Sequence, residues 1–300
     1  MSARLRGIAR QTQEIVEAGR YRAPGGHGVT IGGELSAAVE GTRMYGPGPV
    51  PVVPDTDRSS VCEVTGESSL DAARRLTSRA PGTVAVLTFA SARNPGGGYL
   101  NGAQAQEEAL CRASGLYTTL LRVPQFYEHH RADRSPFYSD RVIHSPGVPV
   151  FRDERGRLLD TPYTVGFLTS PAPNAGVILS RTPDEAARIS AALASRAERV
   201  LETAAVAGYR RLVLGAWGCG VFRNDPAQVA GAFRGLLRDG GRFCGHFDEV
   251  VFAVLDRGQG QRTLEAFRVA FPEGGSGRVA ETRGRGFRAA EAVGTAGEVR

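Results

Sequence analysis

The chain has 300 residues, 41% hydrophobic and 23% charged, the balance of a folded globular protein and not of a disordered or fibrous one. Its formal charge is +6 and no lysine contributes to it, so all the positive charge is arginine; guanidinium groups bind phosphate bidentately and suit an anionic partner. Cys62, Cys111, Cys219 and Cys244 form no CxxC pair, the charged N-terminus has no apolar core of a secretory signal, and no apolar run approaches the ~18 residues of a membrane span. A reduced, cytoplasmic setting is expected.

In chain order, Leu5, Ile8, Ile15 and Val16 recur at helical spacing and predict a helix over 3–19 that Gly19 ends. Residues 22–60 are rich in Gly and Pro and predict an extended loop region with short strands at most. Strand, helix and strand follow over 61–65, 69–78 and 83–90; the last, TVAVLTFA, is β-branched and nearly all apolar, as a buried strand requires. A helix is predicted over 106–121, its core stripe formed by Leu110, Ser114, Tyr117 and Leu121. Strands are predicted at 141–144, 164–170, 212–214 and 249–255. Between them a long helix spans 182–208, with Thr182 as N-cap and Pro183 at its first position. A last helix covers 261–271, and the tail from 274 has the composition of a disordered segment. Strands alternating with helices define an α/β domain of three layers, in which ligands bind beyond the carboxyl ends of the strands.

Two segments lie at such ends. After the strand 83–90 come Asn94, Pro95 and then Gly96, Gly97 and Gly98, followed after seven residues by Gln106, Glu107 and Glu108 at the start of a helix. Consecutive glycines serve a tight turn, or let backbone N–H groups approach a ligand closely. The adjacent glutamates serve as a capping pair on the first helical turn, or as two carboxyls with different duties, since neighbours on a helix point about 100° apart. Mutual repulsion and burial favour the protonated carboxyl that a general acid needs. The second segment, LVLGAWGCGVFRNDP (212–226), repeats strand, glycine-rich loop and helix. The N–H groups of Gly218 to Phe222 suit an anion such as a diphosphate, Trp217 suits the core, and Asn224 or Asp225 caps the next helix. Without lysine, a Walker loop is excluded. The histidines show no ligand spacing; His129 and His130 read as a solvated pair and His144 as a strand residue.

Together these segments resemble the bacterial-type poly(ADP-ribose) glycohydrolases of the macrodomain superfamily, whose signature is GGG, six to eight residues, then QEE. The flanks FASARNPGGG, GAQAQEEALCRASGLY, SPGVPVFRDE, TSPAPN and LGAWGCGVFRNDPAQVA carry the likeness, from the first helix to about Phe271. The resemblance implies a macrodomain-like fold, a mixed central sheet flanked by helices, with an N-terminal helical extension over 1–60 packed on a catalytic domain over 61–272. It implies Glu108 as the catalytic acid and Glu107 as the group that orients the ribose of the scissile bond. Asn94 and the backbone of Gly96, Gly97 and Gly98 would hold the distal ribose, and Gly218, Cys219, Gly220 and Val221 would line the diphosphate, with Phe222 ordering the terminal ribose; Gln106 is also expected to bind substrate. Thr88 stands where the family has Asn. No metal or cofactor is implied. The partners implied are poly(ADP-ribose), ADP-ribosylated proteins and ADP-ribose as product, with no sequence-specific nucleic-acid binding, and the default state is a monomer. A reader of ADP-ribose without hydrolysis, and a hydrolase of mono-ADP-ribosylated targets, are the alternatives.

Overall fold

A computed structural model of the protein describes residues 2–80 and 83–272; the tail predicted to be disordered lies outside them. The chain opens on α1 (Ala3–Ala18), which Ser2 caps by accepting the Leu5 N–H at 3.4 Å and Gly19 ends at φ 62°. A hairpin of β1 (Arg20–Arg22) and β2 (Gly28–Thr30) leads to α2 (Gly32–Gly41) and β3 (Arg43–Tyr45). Helix α2 corrects the loop predicted over 22–60. Leu35 and Ala38 form its buried stripe, but glycines at both ends hide that period among poor helix formers.

Strand β4 (Val61–Thr65), α3 (Ser69–Arg79) and β5 (Val84–Phe89) follow as predicted. The single helix predicted over 106–121 is two, α4 (Gln106–Ala113) and α5 (Leu116–Leu120). Ser114 separates them: its backbone is extended at φ −148°, its hydroxyl donates to Leu110 O at 2.8 Å and accepts the Leu116 N–H at 3.2 Å. The predicted stripe therefore fails at Leu121, which is 50% exposed, and burial passes to Cys111, Leu116 and Leu120.

Helix α6 (Pro124–Ala132) precedes two long strands, β6 (Val142–Arg152) and β7 (Leu158–Ser170). β6 outruns its predicted end at residue 144 because a register shift between Ser145 and Val148 absorbs Pro146. Then come α7 (Ala175–Arg181), α8 (Arg188–Val206), β8 (Arg211–Gly215), α9 (Pro226–Leu237), β9 (Glu249–Ala253) and α10 (Arg262–Ala270). The predicted helix 182–208 loses its first turn. Thr182 closes α7 by donating its N–H to Ile178 O at 2.8 Å, and Pro183–Glu185 form a 3-10 turn before α8 begins.

Seven strands form one mixed sheet in the order β3-β6-β7-β5-β8-β9-β4. β7, β5, β8, β9 and β4 are parallel neighbours, while β3 and β6 add antiparallel pairs at one edge. Val84 and Val86 of β5 face one apolar layer with Leu110, Leu116 and Phe126; Ala85 and Leu87 face the other with Leu193, Val200 and Phe233. Both faces of the central strands β5 and β8 are covered, which is why these parallel strands read as largely apolar runs, whereas the edge strand β4 carries Glu63 and is only partly buried. The carboxyl ends of β5 and β8 thus open onto one edge of the sheet, next to each other.

Buried polar groups fix the periphery. Glu202, fully buried, accepts the Val50 N–H at 2.8 Å and pairs with Arg199 and Arg242, tying the Gly/Pro-rich loop to α8. His130 is not solvated as predicted: it is fully buried, with Nδ1 bonded to Phe126 O and Nε2 to Ser139 Oγ, both at 2.8 Å. His144 is a strand residue as predicted and bonds the Tyr209 hydroxyl at 2.9 Å. Burial pushes both imidazoles down to about 4. The unfolded chain takes up these protons below about 6.5, whereas the folded chain waits until about 4. Their stability contribution is therefore complete above about 6.5 and is lost as pH falls towards 4, by up to roughly 3 kcal/mol per histidine. Urea unfolding at pH 7 and pH 5 is expected to show this loss, and His144→Gln to reduce it; equal losses in both proteins would place the acid sensitivity elsewhere.

Candidate active site

Beyond β5 the chain makes two successive turns, with Gly97 N–H donating to Asn94 O and Tyr99 N–H to Gly96 O, each at 3.0 Å. Gly96 and Gly97 take φ 65° and 58°, the left-handed region that favours glycine. The three glycines have different neighbours. A Cβ on Gly97 would lie 2.5 Å from Glu108 Oε1 and 3.2 Å from Glu107 Oε2, so the missing side chain is what admits both carboxyls. On Gly96 it would strike Tyr117 and Cys111. Gly98 donates its N–H to Glu108 Oε1 at 2.9 Å.

The glutamates are not a capping pair, because no side chain caps α4 and each carboxyl bonds the preceding loop instead. Glu107 is 2% exposed; its Oε2 accepts the Ser91 N–H at 2.7 Å and its Oε1 is buried with no partner. Burial holds this carboxyl protonated well above the usual carboxylate range, reinforced by the Glu108 charge and opposed by the N–H groups of Ser91 and Gly96. Glu108 keeps 9% exposure and is the more accessible of the two.

Gln106 has a use the sequence did not predict. Its Oε1 accepts the Phe89 N–H at 2.9 Å, and its Nε2 donates to Leu87 O at 2.8 Å and Ser69 Oγ at 3.1 Å. The amide continues the edge of β5 and sets where α4 starts. Thr88 lies within β5 opposite Thr169, its hydroxyl buried and unpartnered. The Asn94 side chain is exposed at the head of the glycine turn.

After β8 the second loop is pinned from two sides. Trp217, buried as predicted, donates its indole N–H to Ser170 O at 2.9 Å, and Asn224 donates to Pro173 O at 2.8 Å and Gly218 O at 3.2 Å. Asp225 is the N-cap of α9, accepting the Ala227 N–H at 2.8 Å. Gly218 takes φ 71° where a Cβ would clash with Ala172 and Asn224. Of the five N–H groups from Gly218 to Phe222, that of Cys219 is spent on Ala216 O at 3.2 Å; the other four meet no acceptor among the described residues. Unspent N–H groups on a glycine-rich loop that follows a strand are donors of the kind that can meet an anion. The Val221 side chain is 82% exposed, leaving only its backbone among those donors. Burial pushes the Cys219 thiol up to about 12, so it stays protonated.

A cavity of about 500 Å³ runs from this loop past Phe89 and Gln106 to Ser68, Leu255 and Asp256. Ala105, Gln106 and Ala109 border it, whereas Glu107 and Glu108 turn to the glycine loop, as the helical period dictates. Tyr138, which carried no signal in the sequence, links the two loops: its ring lies 5.8 Å from Phe222 and beneath the Arg93 guanidinium at 5.9 Å. Ser91 also went unnoticed, since a backbone N–H leaves no mark on residue type.

These features define a three-layer α/β protein with paired carboxyls and a glycine-rich loop of unspent N–H groups at the carboxyl edge of its sheet. A family model described as "Microbial-type PARG, catalytic domain" matches residues 9–153. The poly(ADP-ribose) glycohydrolase of Thermomonospora curvata bound to the inhibitor ADP-HPD is 53% identical over 90% of this chain and 100% of its own, with a TM-score of 0.83. The poly(ADP-ribose) glycohydrolase of Deinococcus radiodurans in complex with ADP-ribose is 45% identical over 81% of this chain and 99% of its own, with a TM-score of 0.75. No curated protein sequence matches. The chain belongs to the microbial-type poly(ADP-ribose) glycohydrolase family.

Gly97→Ala is expected to displace the Glu108 carboxyl and lower kcat on poly(ADP-ribose) about a hundredfold, the usual cost of a misplacement near 1 Å. Circular dichroism should still report the folded protein, and an unchanged kcat would show that this contact does not seat the carboxyl.

Proposed function

We propose that the protein hydrolyses the ribose–ribose O-glycosidic bonds of poly(ADP-ribose), working mainly from chain ends to release ADP-ribose, with Glu108 as general acid and then base. The observation that carries this is the seating of Glu108: a partly exposed carboxyl bonded to the Gly98 N–H and pressed on the backbone of Gly97. The proton of Glu108 passes to the leaving ribose oxygen, an oxocarbenium-like centre develops at the anomeric carbon, and the carboxylate then activates water. General-acid help of this kind is worth about 10²–10⁴-fold.

Glu107 fits an orienting role. Its unpartnered Oε1 offers a hydrogen bond to a ribose hydroxyl, and a carboxyl kept neutral is a poor nucleophile, which separates this site from glycosidases that use a second carboxylate. Asn94 and the glycine turn hold the distal ribose, the free N–H groups of Gly218, Gly220, Val221 and Phe222 hold the diphosphate, and Phe222 packs on the terminal ribose. The ligand's own diphosphate then stabilises the cation. We place this chemistry in a catalytic domain over 61–272 with the segment 1–60 packed on it; β3 of that segment pairs with β6. The charge of +6 draws ADP-ribosylated proteins and their polymer to the surface. Among the described residues no helix is long and apolar enough to cross a membrane, and we assign the protein to the cytoplasm as a monomer.

Automodified poly(ADP-ribose) and mono-ADP-ribosylated targets, offered side by side, test the reading. Wild type is expected to release ADP-ribose from polymer and Glu108→Ala to lose turnover while keeping ADP-ribose affinity. Binding without release would make the protein a reader, and release from mono-modified targets alone would change the substrate class.

Glu107 gives a pH test. Its held proton predicts that substrate affinity persists at neutral pH and weakens as pH rises through the raised value. Glu107→Gln mimics the neutral carboxyl and is expected to keep affinity and lose that alkaline limb in the KM profile; if it is as impaired as Glu107→Ala, the proton is not what the substrate uses.

A further inference from the structure

Tyr138 takes φ 58°, a conformation that bulky residues seldom hold without a functional reason. Its half-buried ring lies against Arg93 and Phe222, and His130 meets it edge-on with ring centroids 5.9 Å apart. Exposed arginines crowd the same spot. Arg93 donates Nε to His130 O at 3.2 Å and Nη2 to Arg134 O at 3.3 Å, and Arg131 donates Nη1 to Arg93 O at 2.9 Å. None of Arg93, Arg131 and Arg134 has an ion-pair partner among the described residues. Of the acids near them in sequence, Asp133 accepts the Ser135 N–H at 2.9 Å and Asp140 bonds Ser195 and Arg196, while Glu128, one helical turn before Arg131, is exposed and makes no ion pair among the described residues.

An aromatic ring under one guanidinium, Arg93, with the exposed Arg131 and Arg134 tied to Arg93 through backbone carbonyls, is chemistry that suits a nucleotide, the ring stacking on the base and arginines meeting phosphate. The terminal ADP-ribose unit does not need it, since the second loop already offers that unit's diphosphate four free N–H groups. The platform begins at Arg93, next to Asn94 and the glycine turn. There the scissile bond joins the distal ribose to the adenosine ribose of the following unit, which brings its own purine and diphosphate.

We infer that Arg93, Arg131, Arg134 and Tyr138 form a docking platform for the leaving ADP-ribose unit of the polymer, with its adenine on the Tyr138–Arg93 face and its diphosphate on the arginines. The inference rests on the distal ribose lying at Asn94 and the glycine turn. It gives the site a preference for polymer over mono-modified protein, whose leaving group carries neither base nor phosphate.

The test compares kcat/KM for di-ADP-ribose with the Ki of ADP-ribose as product inhibitor. Glu108 is kept intact, so a wrong assignment of the acid leaves the comparison standing. Arg131→Gln combined with Arg134→Gln is expected to lower kcat/KM about tenfold, to leave Ki unchanged, and to flatten the salt dependence by roughly one to two in log–log slope. Tyr138→Leu is expected to lower kcat/KM about tenfold as well, the range seen when a stacking ring is removed, and Tyr138→Phe to restore it. If kcat/KM and Ki worsen in parallel, the surface only supports the terminal unit; if neither moves in the arginine variant, no platform exists. Either outcome overturns the inference.

Discussion

The structure around the site depends on one contact, the two carboxyls of Glu107 and Glu108 packed on the bare backbone of Gly97. A helix must start within reach of that turn, and Gln106 fixes the start by bonding Phe89 and Leu87 of β5. The strand that launches the glycine loop therefore also sets the register of the helix that returns to it. Any shift of α4 by one residue would turn a different side chain onto Gly97, because the helical period rotates successive residues by about 100°.

The same contact separates two otherwise similar carboxyls. Glu107 points inward beside Cys111 and loses nearly all its water, whereas Glu108 retains an open edge. A buried carboxyl without a cation partner minimises its cost by keeping its proton. Chemical asymmetry thus follows from the geometry of adjacent helical positions.

Much of this was legible in the sequence. The glycine run, its spacing to the paired glutamates and the second loop could be read directly, because close backbone approach demands glycine and parallel strands demand apolar runs. What stayed hidden depended on partners distant in sequence. Ser91 acts through its N–H, and Tyr138 meets both glycine-rich loops only because the 133–141 loop brings its ring against Arg93 and Phe222. Gln106 shared a motif with the glutamates, yet its amide faces β5. His130 read as solvated beside His129, though the period of α6 places one inside and the other at the surface. Helix α2 was masked by glycines that tertiary packing of Leu35 and Ala38 overrides.

The asymmetry of the carboxyls also constrains where the charge of the reaction can be balanced. In the mechanism proposed above, with Glu107 held neutral, a positive centre at the anomeric carbon would be compensated by the Glu108 carboxylate, which has given its proton to the leaving oxygen, and by the substrate itself. The second loop supplies four unshared N–H groups but no basic side chain of its own until Arg223. Neutral donors hold a diphosphate without cancelling its charge, as a lysine or a metal would. In that proposed mechanism, such a site would keep the ligand's negative charge available next to the bond that breaks; the second loop is pinned by Trp217 and Asn224, and Tyr138 links Phe222 to the loop bearing Asn94.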